Sequence, residues 1–167
     1  MPGASPTKAE DEYRSGLSVR FIPMVGTKRM SPVSIYLVYP VESALADKLC
    51  AIIERHGGRP SSRVKDLVDI VVYATSCDVD GARLQRRIRR EAAVRGIDLP
   101  RAFAIPDEWT VSYGRVFGRL CSQTGLSQSL RSLAAATTLA QDMLSPALDG
   151  AVGDCVWDHA RLDWTSK

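Results

Sequence analysis

Residues 46–70 read ADKLCAIIERHGGRPSSRVKDLVDI, and the way this stretch breaks decides the fold. Upstream of the break, Leu45, Leu49, Ile52 and Ile53 recur at helical spacing, with Asp47, Lys48, Glu54 and Arg55 off that stripe. Gly57, Gly58 and Pro60 end this helix, and Ser61 or Ser62 is placed to cap a second one. In the second helix Val64, Leu67, Val68, Val71 and Val72 make a broad apolar face. So short a connection favours antiparallel packing of the two helices, which would carry Lys48 to the start of the second. There Arg63, Asp66 and Asp69 fall three residues apart and share a face.

Two readings of this charged stripe stand side by side. In the first, Arg63 with Asp66 and Lys65 with Asp69 are local ion pairs on a solvated helix, worth about 0.3–0.5 kcal/mol each. Negative charge near a helix N-terminus is also favourable without any function. In the second, carboxylates and cations gathered between apolar helices form a site for phosphate and metal. Lys48 decides between them, because only a site requires it to arrive from the other helix.

Working outward, the chain of 167 residues is 45% hydrophobic, enough for one core. The excess of 22 basic over 19 acidic residues is too small to define a nucleic-acid partner by itself. Cys50, Cys77, Cys121 and Cys155 are scattered, with only His56 and His159 as imidazoles, which argues against a zinc site and for reduced thiols. No apolar run resembles a signal peptide or a membrane span, so a soluble, cytoplasmic chain without a membrane partner is expected.

Residues 1–16 are rich in Pro, Gly, Ser and charge and are expected to be a disordered lead. Two strands are expected next, over LSVRFIPMV (17–25) and VSIYLVY (33–39). The helical pair follows, then a helix over 81–94, a proline-containing connection, and helices over 111–121 and 126–144, the last ending before Pro146. Trp157 and Trp164 in the tail from residue 149 are spaced to pin an extended segment onto the body.

On the 81–94 helix Arg83, Arg86, Arg87 and Arg90 form a basic face, which reads either as a track for RNA phosphates or as a solvated surface. Arg89, Arg95 and Arg101 extend the positive region. His56 reads as a helix-end cation and His159 as a surface residue pairing with Asp158 or Asp163. No nucleophile elbow accompanies the hydroxyls of residues 122–128, and the glycines form no Walker-type loop.

The order of VSIYLVYP, ESALADKLCAIIER and RVKDLVDIVVYA, followed by RGIDLP and IPDEW, resembles the C-terminal half of AbiEii/AbiGii-type toxin nucleotidyltransferases, within the polymerase-β-like superfamily. The likeness covers approximately residues 34–146, and its specific elements are the lysine of ADKL and the pattern Arg-x-Lys-Asp-x-x-Asp. It implies an α+β fold: a short N-terminal strand pair, remnant of a palm sheet, and a helical lobe, together a single domain over 17–148 with a tail over 149–167. It implies that Lys48 contacts nucleotide phosphate, that Asp66 is the essential acid, and that Arg63, Lys65 and Asp69 shape the same pocket. Implied with them are a nucleoside triphosphate, Mg²⁺, transfer to an RNA such as the 3′ end of transfer RNA, and a cognate antitoxin.

The departure concerns metal. The family's earlier half supplies a Gly-Ser loop and an Asp-x-Asp cluster, and neither occurs upstream of Lys48: Gly16 is followed by Leu17, and Asp11 with Glu12 lies in the polar lead. No metal ligand is therefore assigned, and the expectation is a truncated member, an N-terminally misassigned product or one half of a split protein. The alternative, from a different class, is a non-catalytic helical module that binds RNA or an antitoxin.

Overall fold

The computed structural model describes residues 39–167; the expected lead and both expected N-terminal strands lie outside the described residues, save Tyr39. The first helix, α1 (Val41–Ile53), buries Leu45, Leu49 and Ile52 on one side. The chain then reverses through a two-residue turn in which Gly57 and Gly58 both have positive φ, at 60° and 77°, and His56 pairs with Arg59. Such a turn needs the left-handed region twice, and glycine enters it without a Cβ clash.

The second helix, α2 (Val64–Ser76), buries Val64, Leu67, Val68, Ile70, Val71 and Ala74, while Val72 is only half-buried. Neither serine caps it by the expected geometry, since Arg63 occupies the cap position without a side-chain bond. Ser61 acts earlier: its buried hydroxyl donates to Ala51 O (2.7 Å) and accepts from Arg63 N (3.2 Å). This strap ties the end of α1 to the start of α2. Contacts between 51 and 61, and between 48 and 66 or 69, run in opposite senses, so the two helices are antiparallel.

A two-residue strand, β1 (Val79–Asp80), leads into α3 (Gly81–Arg95). Asp80 caps α3 by accepting from Arg83 N (2.8 Å), and Gly96, at φ 66°, ends it. Gly81 passes so close to the chain at Val152 that a Cβ there would meet its carbonyl oxygen.

Beyond the proline-rich connection the elements are α4 (Glu108–Ser112), α5 (Gly114–Ser122), a 3₁₀ turn (Gln128–Leu130) and α6 (Leu133–Asp149). Two expected boundaries are corrected. The helix expected over 111–121 is two helices divided at Tyr113, and the earlier one is anchored by Trp109, whose Nε1 donates to Ser61 O (2.7 Å). The helix expected over 126–144 starts only at Leu133, capped by Ser132, and runs through Pro146 to Asp149. Proline removes one backbone bond but its fixed φ is helical. Met143, Leu144 and Ala147, all buried around it, hold the turn in place.

Strands β2 (Cys155–Asp158) and β3 (Asp163–Ser166) complete an antiparallel sheet of order β1-β2-β3, with Val79 opposite Trp157 and Trp157 opposite Trp164. Trp157 is fully buried and donates from Nε1 to Ala74 O (2.8 Å). Trp164 meets it edge-on at 5.6 Å and donates to Met143 O (3.1 Å). The protein is thus α+β, as expected, but the sheet among the described residues follows the helical pair in sequence instead of preceding it. The stretch from Val41 to Lys167 is one compact unit whose core joins α1, α2, α3, α6 and this sheet.

Candidate functional site: an ionic seam between two helices

The reversal at Gly57–Gly58 sets the geometry of the charged residues. Lys48 leaves α1 toward α2, and its Nζ donates to Asp69 Oδ2 at 2.8 Å and lies 3.5 Å from Asp66 Oδ1. Asp66 also accepts from Arg63 Nε at 2.6 Å. Asp69 accepts from Lys65 Nζ at 3.0 and 3.2 Å. All five residues picked out by sequence therefore meet in one seam of three cations around two carboxylates. The local pairs that a solvated helix would make are present, but Lys48 joins both carboxylates from the other helix, which that reading did not require.

Burial grades the seam from inside to outside. Asp66 is 4% exposed, whereas the Arg63 and Lys65 side chains are 61% and 70% exposed. Partial desolvation is the largest influence on the Lys48 ammonium and pulls its pKa down, but the hydrogen bond and field of Asp69, with the field of Asp66, reverse this and raise it. Asp69 shows the mirror case. Desolvation favours its neutral form, yet the bonds from Lys48 and Lys65 prevail and lower its pKa. The Arg63 guanidinium is raised, chiefly by its bond to Asp66.

A second ionic cluster adjoins this one and was not read from the sequence. Arg95 donates to Asp47, to Glu54 Oε2 (2.9 Å) and to Glu91 Oε1 (2.7 Å), locking the C-terminal end of α3 onto α1 beside Lys48. Arg95 is therefore spent inside the fold and does not extend the basic surface. A signal was available: Asp47 and Glu54 are seven apart and share a helix face, while Glu91 and Arg95 are four apart. Between them Cys50 is buried, and desolvation pushes its thiol up to about 11, which leaves it a core residue with no nucleophilic role.

The arginines of α3 are elsewhere. Arg83, Arg86 and Arg90 are exposed and Arg87 is half-buried, and none of them bonds to the five residues of the seam. His159 pairs with neither expected partner; its Nδ1 is 2.7 Å from Asp78 Oδ1, which also accepts the His159 amide. The donor atoms of Asp78, Asp158 and His159 lie within 4.8 Å of one another, but Asp158 Oδ1 already accepts two turn amides, from Ala160 and Arg161.

The chemistry of the donor set separates phosphate from metal. Arg63 and Lys65 present exposed cationic heads that can take phosphate oxygens. Asp66 and Asp69, by contrast, already accept from cations on their oxygens, so they do not fit a divalent ion.

In this α+β domain an antiparallel helical pair gathers three cations around one buried and one partly exposed carboxylate. The chain matches the family model described as "Nucleotidyl transferase AbiEii toxin, Type IV TA system" over residues 17–147, and it belongs to that family. Neither a curated protein nor a solved structure matches it. The family implies a nucleoside triphosphate, a divalent metal and an antitoxin partner. Among the described residues no helix is long and apolar enough to cross a membrane.

Proposed function

We propose that this chain supplies the nucleotide-phosphate side of a toxin nucleotidyltransferase, which transfers a nucleoside monophosphate from a nucleoside triphosphate to an RNA, with the 3′ end of transfer RNA as acceptor, in the cytoplasm. The observation that carries this is the meeting of Lys48 with Asp66 and Asp69 across two helices, at 3.5 and 2.8 Å, within a member of this family. In the reaction the 3′ hydroxyl gives its proton to water and its oxygen bonds to the α-phosphorus as the bond to the α,β-bridging oxygen breaks, and pyrophosphate leaves with that oxygen. Lys48, Arg63 and Lys65 neutralise phosphate oxygens, Lys48 by exchanging Asp69 for the substrate. Asp66, gripped by Arg63 and Lys48, anchors both cations where the phosphates arrive. Mg²⁺ would be held by a Gly-Ser and Asp-x-Asp half that completes the site.

One observation favours the second reading, a non-catalytic module that binds RNA or an antitoxin. Lys48 is already satisfied by two carboxylates, as a fold-supporting lysine would be. Incubation of the chain, complemented by a half that carries the Gly-Ser and Asp-x-Asp elements, with transfer RNA, Mg²⁺ and each labelled nucleoside triphosphate separates the two. The proposal expects incorporation that falls about 100-fold or more in Lys48→Ala and in Asp66→Ala. Incorporation unchanged by both substitutions removes the site assignment, and none by the wild type selects the binding module.

A further inference from the structure

Of the six arginines of helix α3, five, Arg83, Arg86, Arg87, Arg89 and Arg90, have side chains that make no hydrogen bond or ion pair among the described residues. The carboxylates near them are committed elsewhere. Glu91 is held by Arg95, and Asp80 by Lys167 Nζ at 2.9 Å and the Arg83 amide. At 100° per residue the five guanidiniums occupy an arc of about 160°, and Arg83 to Arg90 covers roughly 10 Å of axis. Like charges three and four residues apart destabilise a helix. A fold that balances Arg95 with three carboxylates and gives these five no ion pair among the described residues, Arg83 feeling only the field of Asp80, presents a surface for an external polyanion.

From these observations we infer that the outer face of α3 binds the phosphodiester backbone of the acceptor polynucleotide and leads its end toward Lys48. This rests on the proposed function and adds to it the surface that holds the acceptor. The fold brings the two regions near each other: α3 ends at Arg95, which is bound to Asp47, the neighbour of Lys48, so the end of the helix that carries the stripe lies beside the seam. The chemistry selects nucleic acid over protein. All five residues are arginine, whose planar fork matches phosphate oxygens two at a time. A protein-binding helix would place aromatic or large aliphatic anchors among its charges, and the exposed remainder of α3 offers only Ala93 and Val94 near its end.

The test is fluorescence anisotropy of the full chain with a labelled single-stranded RNA, a DNA of the same sequence and a polyglutamate peptide, each over a range of salt. For Arg83→Gln/Arg86→Gln/Arg90→Gln the expected result is RNA affinity lowered about tenfold or more at moderate salt, and a log–log salt slope smaller by roughly 2 to 3. DNA bound as tightly as RNA supports backbone recognition; RNA preferred supports it with added contacts to the 2′-hydroxyl. The thermal midpoint of the variant holds or rises, because only repulsion is removed. Unchanged affinity and slope in the triple variant, absence of RNA binding in the wild type, or polyglutamate bound as tightly as RNA each overturns the inference. A chain that binds RNA through α3 but transfers no nucleotide overturns the proposed reaction alone.

Discussion

Replacing Trp157 with Ala is expected to destabilise the domain by about 3–5 kcal/mol, the range for truncating a fully buried aromatic side chain. Trp157 sits where β2 meets the helices: it is fully buried, is paired in the sheet with Val79 and Trp164, and donates its indole hydrogen to Ala74 O at the end of α2. Its loss opens a cavity and leaves that carbonyl without its indole donor. Trp164, only partly buried, is expected to cost clearly less when truncated. Urea unfolding of both variants measures the difference. A Trp157→Ala cost under about 1 kcal/mol would show that the site closes up, and that the hairpin is not a structural part of the core.

Asp66→Ala is expected to cost about 3 kcal/mol, near the lower end of the range for removing one partner of a buried ion pair. The carboxylate is 4% exposed, and its loss leaves Lys48 with Asp69 alone and frees Arg63. The discount reflects Arg63, whose exposed head returns to water. Asp69→Ala is expected to cost less, since Asp69 and Lys65 are more open and their pair is screened. If Asp69→Ala proved the more damaging, the buried anchor would be Asp69 and the gradation from inside to outside of the seam would be reversed.

How far the sequence reached depends on how local each interaction is. The helical pair was legible because its apolar spacing and its glycine-proline break are both local signals, and the meeting of Lys48 with Asp66 and Asp69 followed from the shortness of the turn. The use of Ser61 was not legible: a serine before a helix reads as a cap, and only the packed structure shows its hydroxyl reaching back to Ala51. Arg95 was misread as surface charge because its partners Asp47 and Glu54 are 48 and 41 residues away. Pro146 was read as a stop because the sequence does not show the buried neighbours that keep a proline inside a helix. The sheet was equally hidden, since β1 has two residues and β2 and β3 four each, too short for alternation to declare them.

The central claim is that Lys48 belongs to a triphosphate site and is not merely a strut between helices. Isothermal titration of nucleoside triphosphate into the wild type and Lys48→Met tests it most directly, because methionine keeps the apolar stem and removes only the ammonium. The account predicts measurable binding by the wild type and an affinity at least about tenfold weaker in Lys48→Met, whose folded signal is retained. Equal affinity in the two proteins would contradict it and leave the lysine as a structural ion-pair partner of Asp66 and Asp69.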